Sequence, residues 1–123
     1  MKPLIVLAII STGLFACTSS AGKKEKANLA IAEKYMQAVE TMDVVLMDSL
    51  LADNYMGYGP SVGDSTNKED AILNFKYNAE NLYDYLKYTR HKELVVTVNE
   101  GEGIGDWVLN WAYLTIKYKV GGD

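Results

Sequence analysis

An unbroken apolar run, then two stretches of helical spacing, then an alternation of period two: hydrophobic residues are laid out along this chain in that order. Leu29, Ala32, Tyr35, Met36, Val39 and Met42 recur at steps of three or four, which predicts one amphipathic helix from about Asn28, with Asn28 as its N-cap. A second apolar set, Val44 to Met47 with Leu50 and Leu51, predicts a brief helix ending near Ala52-Asp53. Asn54-Tyr55-Met56-Gly57-Tyr58-Gly59 partly alternates and carries two tyrosines, so a short strand is expected before Pro60. Ser61 to Asn67, containing Gly63 and Asp64, reads as loop. Thr66-x-x-Glu69 forms a capping box for a second long helix, whose apolar positions are Ile72, Phe75, Ala79, Leu82, Tyr83 and Leu86.

From Tyr88 the period becomes two. Leu94, Val96 and Val98 fall on one side of a strand, Val95 and Thr97 on the other. A glycine-rich turn, Asn99 to Gly105, leads into a second long strand over Asp106 to Lys119. Val120-Gly121-Gly122-Asp123 reads as the turn of a hairpin that lacks its return strand. Helices first and antiparallel strands last make an α+β pattern, with helices packed on one face of a sheet.

The leading apolar run changes the picture. Met1-Lys2-Pro3 is a short cationic segment, and Leu4 to Phe15 has the length of a signal-peptide core, too short for a comfortable membrane span. Leu14-Phe15-Ala16-Cys17 closes it. Residues 1–16 thereby resemble a bacterial lipoprotein signal peptide, in which cleavage before Cys17 leaves the cysteine to carry the lipid. The resemblance implies a domain anchored to a membrane of the bacterial cell envelope, on its extracytoplasmic side. A buried free thiol and an uncleaved anchor are the alternative readings of Cys17. Thr18 to Ala27 is small, polar and charged, so residues 17–27 read as a flexible tether and residues 28–123 as one domain.

From Asn28 onward, eight Lys/Arg stand against fifteen Asp/Glu, a net charge of −7. That balance disfavours nucleic acid as a partner and suits a small neutral ligand or a protein. Cys17 is the sole cysteine, which excludes an intramolecular disulfide. With one histidine, His91, there is no basis for a zinc site, and no cofactor or metal is expected.

Three groups of residues carry a further resemblance. They are Ala32 to Val39 and Asp43 to Leu51 in the helices, Asp53-Asn54-Tyr55 entering the first strand, and Gly105 to Trp111 opening the last. Over about Asn28 to Lys119 the chain resembles the SnoaL-like branch of the nuclear transport factor 2-like superfamily. The resemblance implies a cone, in which a strongly curved antiparallel sheet and N-terminal helices enclose an apolar pocket. Its members include cyclases, isomerases, epoxide hydrolases and dehydratases, beside non-catalytic binding and dimerisation modules, so fold leaves function open. Family domains usually continue beyond the strand that ends here at Lys119. The expectation is a truncated cone, or a homodimer in which a second subunit covers the exposed sheet.

On the last strand, Val108, Asn110, Ala112 and Leu114 share one side; Trp107, Leu109, Trp111, Tyr113 and Thr115 share the other. With the Asn110 side inward, Asn110 resembles in position a polar residue, often a carboxylate, that family enzymes use. An amide orients a carbonyl but cannot act as general base. With the other side inward, Trp107, Trp111 and Tyr113 form an aromatic wall or simply pack the core. Tyr55 and Tyr58, near a strand and glycines, are further candidate ligand contacts, or else pack the core. His91 is a base if Asp84 or Asp106 orients it, and otherwise a surface residue in Arg90-His91-Lys92-Glu93. Asp53 and Asp106 are the remaining catalytic candidates. Gly101-x-Gly103-x-Gly105 precedes a strand, not a helix, so it offers phosphate no helix N-terminus. The leading expectation is a non-catalytic domain binding a small apolar molecule or a protein. The alternative is a small isomerase, cyclase or hydrolase, which a pocket carboxylate of raised pKa would favour.

Overall fold

Lysine, glutamate and alanine set the start of the first helix. The structure, a computed structural model, describes residues 20–120. The proposed signal peptide and Cys17 lie outside them. Helix α1 spans Ser20–Thr41, 22 residues, so it begins two turns before the expected Asn28. The polarity of Thr18 to Ala27 suggested a tether, but the described part of that stretch is helical: Lys, Glu and Ala are strong helix formers, and Lys24 docks on Asp106 at 2.6 Å. The helix ends in a Schellman motif. Met42 takes a left-handed φ of 53°, its N–H donates to the Val39 carbonyl, and the Asp43 N–H donates to the Ala38 carbonyl. Asp43 then caps α2 (Val44–Leu50), its carboxylate accepting from the Leu46 N–H at 2.9 Å.

Strand β1 (Met56–Tyr58) is followed by β2 (Ser65–Asn67), and the two pair antiparallel. The second strand corrects the loop expected over residues 61–67. Only three residues pair, too few for an alternation to register in the sequence. Thr66 is occupied opposite Gly57, so the cap of α3 (Lys68–Asn81) falls one residue later than the Thr66…Glu69 box. Asn67 accepts from the Asp70 N–H at 2.9 Å and donates to the Asp70 carboxylate at 3.0 Å.

Strands β3 (Tyr83–Val98) and β4 (Gly105–Tyr118) form the main antiparallel hairpin. Leu82, Tyr83 and Leu86 were expected on α3, yet the helix stops at Asn81. Leu86 and Tyr88 fit period two as well as helical spacing, and in a tyrosine-rich segment pairing with β4 decides. The register slips between Thr89 and Lys92, where Arg90 takes φ 51°.

The molecule is α+β, with its N-terminal helices packed against the two-stranded β3–β4 sheet. One face of this sheet, bearing Leu86, Tyr88, Val95, Val108 and Asn110, lies toward α1. Ala38, Met47 and Leu86 are the buried hydrophobic residues among those described. The opposite face carries Leu94, Val96, Trp107, Leu109, Trp111 and Tyr113 and is exposed.

Glu40 ties α1 to β3. Its carboxylate accepts from Lys87 Nζ at 2.9 Å and from the Tyr88 N–H at 2.7 Å. These two bonds hold the Glu40 pKa below the ordinary carboxylate value. A depressed carboxylate stabilises the fold above its unfolded pKa, about 4.3 for Glu, and loses that contribution as pH falls through the folded value. Glu40→Gln is therefore expected to cost about 1 kcal/mol at neutral pH. The deficit should close in acid, as melting temperatures from about pH 7 down to about pH 3 would show. A deficit that does not change with pH would contradict this.

Candidate ligand cavity

Two alanines make room where larger residues would pack. Ala32 on α1 and Ala112 on β4 both line an open cavity of about 630 Å³ between α1, the end of α2 and the inner face of the sheet. Ile31, Met36, Leu50, Leu51 and Val108 supply its apolar wall. Tyr35, Tyr55 and Tyr88 bring phenol rings, and Asn28, Asp106 and Asn110 bring polar groups. This size and mixture, a mostly apolar wall with few polar groups, suit a small-molecule site.

The electrostatics are quiet. Asp106 accepts from Thr97 Oγ1 at 2.8 Å and pairs with Lys24 at 2.6 Å. These contacts, the Lys24 bond foremost, hold its carboxyl below the usual range, so it stays ionised and matched. Burial pushes the Tyr35 and Tyr88 phenols up, keeping both neutral. Asn110 Nδ2 donates to Glu93 Oε1 at 2.8 Å and lies 3.2 Å from Met36 Sδ. The amide is thereby oriented, with its oxygen available to a ligand donor.

The residues expected from sequence divide. Asn110, Tyr55 and Asp106 come together at the cavity. The inward side of β4 is the Asn110 side, so Trp107, Trp111 and Tyr113 form no wall of this cavity. They stand on the opposite face, 50%, 59% and 67% exposed. Trp111 and Tyr113 border a smaller groove of about 420 Å³ with Arg90, whose guanidinium lies 5.9 Å from the Tyr113 ring centre. Tyr58 sits on β1, exposed and away from the cavity.

His91 borders a separate recess with Glu40 and Lys87. Of the carboxylates expected to orient it, Asp84 pairs with Lys117 and Asp106 with Lys24. Asp53 meets Lys68 at 3.6 Å in another depression, beside α3. The three catalytic candidates thus occupy three different places. Among the described residues, no three His, Cys, Asp or Glu side chains converge as metal ligands, and no helix is long and apolar enough to cross a membrane.

Sequence reasoning overlooked Lys24, Tyr88 and the paired alanines. The signal for Ala32 was its small size within the stripe Ala32-Tyr35-Met36, which helical spacing alone assigns to core. Comparison with family models, with curated proteins and with solved structures returns no match.

Proposed function

We propose that this chain is a lipid-anchored, extracytoplasmic domain of the SnoaL-like kind in a bacterial envelope, binding a small, uncharged, largely apolar molecule without transforming it. The carrying observation is the cavity of about 630 Å³ whose carboxylate, Asp106, is already neutralised by Lys24. A catalytic carboxylate is poised by burial or by a like charge, so that its pKa rises toward neutrality. Asp106 is shifted the opposite way. Asn110, standing where related enzymes often carry a carboxylate, supplies hydrogen bonds but no base. On this reading the hairpin and the helices form one side of the SnoaL-like cone. Tyr35, Tyr55 and Asn110 orient the ligand's polar end, while Met36, Leu50 and Val108 hold its body.

Thermal denaturation of the full chain tests this. Uncharged hydrophobic compounds with one hydroxyl or carbonyl should raise the melting temperature, by the equivalent of about 2.7 kcal/mol at a hundredfold excess over Kd. Their carboxylate analogues should not, because Glu93 stands beside the site and Lys24, the cation nearest it, is already matched by Asp106. Preferential stabilisation by the carboxylates would overturn the assignment.

A further inference from the structure

The anchor, if it is on Cys17, leaves the domain little freedom to stand off the membrane. Cys17 precedes Ser20, the first residue of α1, by three residues, a reach of about 11 Å. Lys24 lies one helical turn further on, bonded to Asp106. Ala21, Lys24, Glu25 and Asn28 flank Val95, Thr97 and Asp106. The start of α1 thus lies beside the end of the hairpin where β3 hands over to β4, and a lipid on Cys17 would be within that reach of it.

That tip presents apolar side chains. Ile104 is 68% exposed, and Trp107 follows it at the base of the turn. The Trp107 indole N–H already donates to the Gly103 carbonyl at 2.7 Å, so burying the ring strands no donor. Aromatic rings of this kind suit the headgroup level of a bilayer. Exposed charges at this end are of both signs: Lys23, Glu25 and Lys26 on α1, and Glu100 and Glu102 in the turn itself. Contact with lipid must then be apolar and nearly independent of salt.

We propose that the hairpin tip, led by Ile104 and Trp107, seats in the interface of the bilayer to which Cys17 is anchored. The strands then point away from the membrane, and the seated tip is the second contact that a lipid anchor needs to fix an orientation. This proposal rests on the reading of Cys17 as lipidated. It distinguishes two tryptophans on one side of one strand. Trp111 lies four residues beyond Trp107, about 13 Å further from the tip.

The test uses the full chain in two single-tryptophan forms, Trp111→Phe and Trp107→Phe, isolated from membranes and reconstituted in uncharged phosphatidylcholine vesicles with shallow bromine-labelled chains. Emission from Trp107 should shift blue and be quenched about threefold more strongly than that from Trp111, unchanged by added salt. Equal quenching of both overturns the tip-first seating, as does no quenching. So does a doubled mass with both tryptophans shielded, because a second copy would then cover the face. Intact mass of Cys17 checks the anchor separately. If the thiol is unmodified, the lipoprotein reading fails. The same gradient, with a maleimide lipid coupled to this sole cysteine, then decides the seating alone.

Discussion

Leu86→Ala is expected to destabilise the fold by about 3 kcal/mol. Leu86 is 3% exposed and sits on the inner face of β3, opposite Ile116, on the strand against which α1 and α3 pack. Its only peers in burial among the described residues are Ala38 and Met47. In so slight a core, neighbours cannot close over a lost isopropyl group, so both the transfer and the cavity contributions are felt. Set against the 5–15 kcal/mol that is roughly typical of a domain, this is a large share. Urea unfolding would show the midpoint falling with little change in slope. Leu94→Ala, at a position 52% exposed on the outer face, provides the contrast and should cost well under about 1 kcal/mol. Equal losses at the two positions would mean that the helices do not pack on the inner face.

Ala32→Trp is expected to weaken ligand binding about a hundredfold while leaving the melting temperature within a few degrees of the parent. Ala32 is half-buried on α1 and borders the cavity opposite Ala112 on β4. A larger side chain there grows into the open space instead of into the packed seam at Ala38. An indole projecting from Ala32 into the space of about 630 Å³ stands where a ligand's body would lie. Loss of binding without loss of stability is the result that separates a cavity from a core.

The elements that sequence revealed well were those whose pattern had one interpretation. The Leu29-to-Met42 stripe, the short α2 and the long strand over residues 105–118 all appear close to where spacing put them. Two errors share a cause: local pattern is ambiguous where distant pairing decides. Tyr83 to Leu86 satisfies helical spacing, yet β4 draws it into a strand. Residues 18–27 look like a linker until Asp106, some eighty positions later, supplies a partner for Lys24. The site was half legible. Tyr55, Asp106 and Asn110 were nominated for their chemistry, and they do meet. Which face of β4 turns inward was not legible, since each side of that strand carries apolar residues. The small residues that leave the cavity open carry no chemical mark at all.

Titration of the full-length chain with an uncharged apolar fluorophore, run beside Ala32→Trp, tests the central claim most directly. The account predicts saturable uptake of one probe per chain by the parent and at least about a hundredfold weaker uptake by the variant. Uptake that never saturates, or that is the same in both proteins, would contradict it.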